Sequence, residues 1–194
     1  MGYKHNASDV IAAGSALIQR DGYHAVGINQ ILQAAGVPKG SFYNFFRSKA
    51  DFARAILDAY GEEYGTWVRQ LLREADGSPL ERVLAFYRAL VDANEADEFA
   101  RGCLVANLSN EVARASDELA AVCDRNFRLL IAGTTEVLAD AQAAGEVRRD
   151  FTAARLAEYL HAGFYGQFPR MKATRSRASL DDWLAMSERF LRGT

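Results

Sequence analysis

Cysteine and histidine are scarce in this chain, with two and three residues in 194. Two cysteines, Cys103 and Cys123, are too few for a disulfide framework or a four-ligand zinc site. The three histidines are scattered, and no metal-ligand spacing links them to the cysteines. The plain expectation for both thiols is therefore a buried free cysteine. No apolar run approaches the roughly 20 residues that span a bilayer. Residues 1–9 are polar and lack an apolar signal core, so a cytoplasmic protein is expected, with no membrane partner. Val, Ile and Thr do not gather into alternating runs, which argues against sheet. There is no internal repeat, no low-complexity stretch, no glycine-rich phosphate loop, no serine elbow and no metal cluster. Neither enzymatic activity nor a cofactor is expected.

Hydrophobic residues make up 49% and charged residues 25%, the composition of a globular chain able to bury a core. The formal net charge of −2 alone argues against nucleic acid, but its distribution does not. Residues 1–49 carry Lys4, Arg20, Lys39, Arg47 and Lys49 against Asp9 and Asp21, a net +3, and the remainder carries −5. A basic head on an acidic body suits a protein that meets phosphates at one end only.

Apolar residues recur at helical spacing throughout, and an all-α chain of nine helices is expected, three short and six mostly longer. The first covers 8–20, capped by Asn6 or Ser8. Short helices follow over 28–35 and 38–45. Ser48 and Asp51 have capping-box spacing and open a long helix to Arg73. Further helices are expected over 79–95, 102–114, 117–144 with Ser116 as cap, 153–172 with Thr152 as cap, and 180–192.

Residues 22–49 hold the most specific pattern. A glycine-ended helix, the small Ala34-Ala35-Gly36 corner and a second short helix form a helix-turn-helix plan, whose second helix enters the major groove. Lys39, Gly40, Ser41, Tyr43 and Asn44 gather on that helix while Phe42, Phe45 and Phe46 hold it to the body. Lys39 offers a mobile cation. Gly40 removes bulk where backbone approaches DNA. Ser41 and Asn44 share a face and can reach base edges or phosphate, and the Tyr43 hydroxyl can donate to phosphate. Lys49 lies in the next helix's first turn, where free backbone donors also favour an anion. Asn29 on the preceding helix is placed with this set. On composition alone, a helical corner with a solvated polar face remains open.

The stretch from Gly22 to Asp51, with Ile31 to Gly36, Val37-Pro38-Lys39-Gly40-Ser41-Phe42-Tyr43 and Phe46-Arg47-Ser48-Lys49, closely resembles the DNA-binding signature of the TetR family. That resemblance implies a TetR-like fold, with a helix-turn-helix domain over 1–49 and a ligand-binding and dimerisation domain over 50–194. It also implies a homodimeric repressor on double-stranded operator DNA, released by a small-molecule or oxidant effector. Gly27 and Pro38 depart from the family's Ser or Thr, which weakens capping by roughly 1 kcal/mol or less.

The C-terminal half is rich in aromatics. Phe86, Tyr87, Phe127, Tyr165, His161 and Asn107 are candidates to line the interhelical effector pocket that the resemblance implies, although core packing accounts for such residues equally. A sharper feature is Arg101-Gly102-Cys103, with Cys103 expected in a helix's first turn beside a cation, where a thiol is activated. The segment is similar to one in an electrophile-responsive TetR branch, in which this cysteine is the sensor and a late lysine, matched here by Lys172, is its partner. Pro169 breaks helical geometry just before Lys172. Dimer contacts are expected from 116–144 and 152–173, which implies a palindromic operator. Two alternatives stay open: release by a reversibly bound apolar or aromatic metabolite, and a helical interaction module without DNA binding.

Overall fold

Local capping sets most helix boundaries. The structure, a computed structural model, describes residues 6–193. The charge of Lys4 and the first five residues of the polar N-terminal stretch lie outside the described residues. Asn6 caps α1 (Ala7–Asp21) in a reciprocal box with Asp9, each side chain satisfying a backbone donor that the first turn leaves free. α2 (Ile28–Ala34) starts at Gly27 with no side-chain cap, the weak start anticipated for glycine there. It ends in a paired turn: Val37 N–H donates to the Leu32 carbonyl at 2.9 Å and Gly36 N–H to Gln33 at 3.2 Å. Gly36 has φ +66°, a left-handed position that only glycine adopts without strain.

The expected helix over 38–45 is a 3-10 turn, Lys39–Ser41, running into the four-residue α3 (Phe42–Phe45). Pro38 offers no side-chain cap, and the tight Ser41 N–H to Pro38 carbonyl bond of 2.9 Å closes the turn instead. α4 (Lys49–Arg73) begins behind Ser48, whose hydroxyl accepts from Asp51 N–H at 3.1 Å. α5 (Pro79–Ala96) has a full Ser78–Glu81 capping box and proline in its first turn.

α6 (Leu104–Val112) starts later than expected. Gly102 has φ +67°, outside the helical region, so Cys103 is the N-cap and not part of the first turn. α7 (Asp117–Ala143) follows Ser116, which accepts from Leu119 N–H at 3.2 Å. α8 (Ala153–Gly166) is capped by Thr152. The helix expected to continue to 172 breaks at Gln167, and α9 (Phe168–Thr174) carries Pro169 in its first turn, where the missing N–H costs nothing. α10 (Ala178–Arg192) ends at Gly193. Every regular element among the described residues is helical. Nine helices result when 39–45 and 153–174 each count as one.

The chain separates into two compact units. One takes the described residues of Met1–Glu62 together with Cys103–Asn126; the other takes Glu63–Gly102 and Phe127–Thr194. In the first, Val10, Ile18, Val26, Ile31, Leu32, Phe42, Phe46, Phe52 and Ile56 form the buried core. In the second, the core is built from α5 (Leu80, Val83, Phe86, Tyr87, Val91), α8 (Leu156, Leu160, Phe164) and α10 (Leu180, Leu191), with α10 packed on α5, α8 and α9.

Candidate nucleic-acid interface and effector cluster

The face bearing Lys39 to Asn44 is set by an aromatic triad beneath it. The rings of Phe42, Phe46 and Phe52 lie 5.4, 5.5 and 4.8 Å apart in their three pairings, and Phe42 and Phe52 are fully buried. Gly14 admits Phe52: a Cβ on Gly14 would lie 2.3 Å from Phe52 Cζ. With Phe42 driven inward, its neighbour Tyr43 is driven outward and is 70% exposed. Lys39, Gly40 and Asn44 are exposed beside it, as is Asn29 on α2, and Ser41 is half-exposed. A Cβ at Gly40 would meet nothing within 4 Å. The chain's own packing therefore places no demand for glycine there, which leaves room for an external backbone.

Lys49 is placed differently from the rest. Its ammonium donates to the Tyr23 carbonyl at 2.5 Å and sits 4.5 Å from the centre of the Tyr23 ring, a cation–π contact. Partial burial lowers its pKa, partly opposed by Glu111. Lys49 therefore anchors the loop after α1, while Lys39 is exposed. Arg47 and Arg54 both bond Asp51 (3.2 and 2.8 Å) and hold its carboxyl well below the usual carboxylate range.

In the second unit, Phe86, Tyr87, Phe127, His161 and Tyr165 come together. Ring centroids are 5.1 Å apart for Phe86–Tyr87, 5.7 Å for Tyr87–His161, 5.8 Å for His161–Tyr165 and 5.7 Å for Phe127–Tyr165. Trp183 and Phe164 complete the cluster at 4.9 and 5.3 Å from Tyr87. Thr134, fully buried, bonds His161 Nε2 at 3.0 Å and the Leu130 carbonyl at 3.5 Å. The hydroxyl is the donor to Leu130, so the network assigns the ring proton to Nε2. His161 Nδ1 and the Tyr87 hydroxyl are then a buried acceptor and a buried donor with no hydrogen-bond partner among the described residues. Thr134 faces Tyr87 as well, without hydrogen-bond geometry. Burial pushes the His161 pKa down to about 4 and the Tyr87 pKa up, so both are neutral at pH 7.

Asn107 does not join this cluster. It lies in the first unit, where its side chain donates to the Gln19 carbonyl at 3.1 Å. Cys103 is buried in the same unit, and Cys123, also buried, has a raised pKa through desolvation and through Cys103. Arg101, expected to activate the thiol, pairs with Asp97 at 2.7 Å. Lys172 packs in the second unit, where a Cβ on Gly102 would lie 3.3 Å from Lys172 Cε. Sequence reasoning missed Thr134, Trp183 and Glu111. A threonine in mid-helix was the available signal for Thr134; nothing local marks the other two.

A basic, aromatic-backed helical corner with Lys39, Tyr43 and Asn44 outward is the head of a helix-turn-helix regulator. The comparisons agree. The description "Bacterial regulatory proteins, tetR family" matches residues 10–56, and "Tetracyclin repressor-like, C-terminal domain" matches residues 79–187. The chain belongs to the TetR family of transcriptional regulators, which are not enzymes. It is 36% identical to the transcriptional regulator AcuR of Cereibacter sphaeroides over 84% of this chain and 74% of that one. It is 30% identical to the transcriptional repressor NemR of Escherichia coli over 94% of each. Among solved structures, a TetR regulatory protein from Rhodobacter sphaeroides superposes with TM-score 0.89 at 33% identity, covering 95% and 97% of the two chains.

Proposed function

We propose that this chain is a homodimeric repressor that places Lys39, Gly40, Ser41, Tyr43 and Asn44 of each protomer in successive major grooves of a palindromic operator, within the cytoplasm. The observation that carries this is the exposed polar face held rigidly by the Phe42–Phe46–Phe52 triad. Lys39 and the Tyr43 hydroxyl serve phosphates, and Asn44 serves base edges. The dimer face is α8 with α10, supported by their mutual packing and by exposed Tyr159 and Met186. α7, expected to share that face, contributes exposed Leu129. The head is taken as residues 1–49 and the effector and dimer part as 50–194. Operator selection from a random duplex library tests the whole reading. The expected product is a palindrome bound with steep salt dependence; absence of any selected sequence refutes it.

For release, one reading follows from the resemblance of the segment around Cys103 to an electrophile-responsive TetR branch: modification of the Cys103 thiol by an electrophile or oxidant. A repressor of this kind loses its response to N-ethylmaleimide on Cys103→Ser while still binding operator. A second reading rests on the unpaired donor of Tyr87 and acceptor of His161 inside an aromatic cluster. These two groups suit an uncharged ligand that offers one acceptor and one donor, since neither residue can supply a charge at pH 7. If that reading is right, Cys103→Ser leaves release intact and Tyr87→Phe weakens it.

A further inference from the structure

α6 grips the end of α1 and the loop behind it through two side chains one turn apart. Glu111 accepts from two consecutive backbone donors, Tyr23 N–H and His24 N–H, each at 2.9 Å. The Glu111 carbonyl meets His24 Nε2 at 3.3 Å. Asn107 donates to the Gln19 carbonyl at 3.1 Å, on the last turn of α1. Lys49 pulls on the other side of the same peptide, taking the Tyr23 carbonyl at 2.5 Å. The fit is close, because a Cβ on Gly22 would lie 3.0 Å from Glu111 Oε1, and Gly22 has φ +95°. All of these residues belong to one compact unit, yet Glu111 is 88 residues from Tyr23 along the chain.

A carboxylate that satisfies two adjacent N–H groups fixes the direction of the peptide between them, and charge-assisted bonds of this kind are the stronger ones. Here the peptide is the link between α1 and α2, and α2 leads through the Gly36 turn to Lys39. Asn107 and Glu111 stand four residues apart on one face of α6, and Cys103, four residues before Asn107, is its N-cap. The Cys103 carbonyl accepts from Asn107 N–H at 3.0 Å. The backbone at Cys103 and the two gripping side chains are thus joined through the first turn of α6.

We propose that Glu111 and Asn107 are positioning residues for DNA recognition: through them α6 sets the orientation of the recognition segment, and loosening this grip is the step by which a change in α6 lowers operator affinity. The inference rests on the reading of Lys39–Asn44 as the operator-binding face. It assigns the conformational change to a particular pair of contacts and does not depend on which effector acts.

The test is operator affinity of full-length Glu111→Gln and Asn107→Ala on duplex selected by the wild-type protein. A glutamine keeps one acceptor but turns an NH2 toward the second donor, so about a tenfold loss of affinity is expected. The slope of log affinity against log salt stays unchanged, because no phosphate contact is removed. A merely structural role would lower the unfolding midpoint and leave affinity of the folded fraction within twofold of wild type, which overturns the proposal. Should Glu111→Gln fail to fold, Asn107→Ala, at a partly exposed site, decides the question by the same readout. N-ethylmaleimide provides the regulatory arm: it weakens wild type and adds nothing further in Glu111→Gln. A wild type that binds operator but ignores N-ethylmaleimide removes the Cys103 reading alone, and the affinity of the two variants still decides the grip. A wild type that selects no duplex removes the functional reading itself.

Discussion

The Thr134 hydroxyl lies 3.0 Å from His161 Nε2, and both side chains are buried. The consequence is a neutral imidazole, with the His161 pKa pushed down to about 4 by burial. The unfolded chain binds the proton near the ordinary value of about 6.5, so it holds more protons than the folded chain between these limits. The stability contributed is complete above about pH 6.5 and is lost as pH falls toward 4, by up to about 3 kcal/mol. Denaturant unfolding of wild type and His161→Gln at a series of pH values checks this. An equal pH slope in both proteins over that window removes His161 as the cause.

Gly14 lies directly against the Phe52 ring. Adding one methyl at Gly14 meets the Phe52 ring at 2.3 Å, and Phe52 is fully buried among Phe42 and Phe46. Gly14→Ala is expected to destabilise the fold by about 1–3 kcal/mol through overpacking. Thermal unfolding measures it; an unchanged midpoint means the triad is looser than described.

Lys39 and Tyr43 should separate by their salt behaviour. Lys39→Ala removes an exposed cation and is expected to lower the salt slope of operator affinity by about 1 per protomer. Tyr43→Phe, which removes a neutral hydroxyl at a 70% exposed position, is expected to weaken binding with the slope unchanged. Titrations at several salt concentrations distinguish them, and identical slopes for wild type and Lys39→Ala would show that Lys39 does not touch phosphate.

Tyr159 and Met186 are 54% and 66% exposed on packed helices. If the proposed dimer uses this face, replacing both with glutamate brings like charges together at the interface and is expected to yield monomers by light scattering. Retention of the dimer would move the interface elsewhere.

Much of this molecule was legible because its signals are local. Asn6 or Ser8, Ser48 with Asp51, and Thr152 each mark a helix start within one turn, and Phe42, Phe46 and Tyr43 sort themselves by helical spacing. Pro169 warned of disturbed helical geometry before Lys172, but the break itself falls at Gln167, inside a helix expected to run to 172. Glu111 was illegible because its partners are backbone groups 88 and 87 residues away, which leave no trace in side-chain type. Asn107 was misplaced for the same reason: a half-buried amide suits a ligand pocket or a carbonyl equally, and only tertiary contact chose. Cys103 moved from first turn to cap because the dihedral angle of Gly102 is set by the fold and not by composition.

Phe42 and Tyr43 are consecutive, one sealed in the triad and one at the surface. Along this short segment, then, the residues that keep the head folded and those proposed to meet DNA point to opposite sides. On the proposed reading, the outward set can be exchanged without disturbing the buried triad, so a change of target sequence need not cost the head its stability.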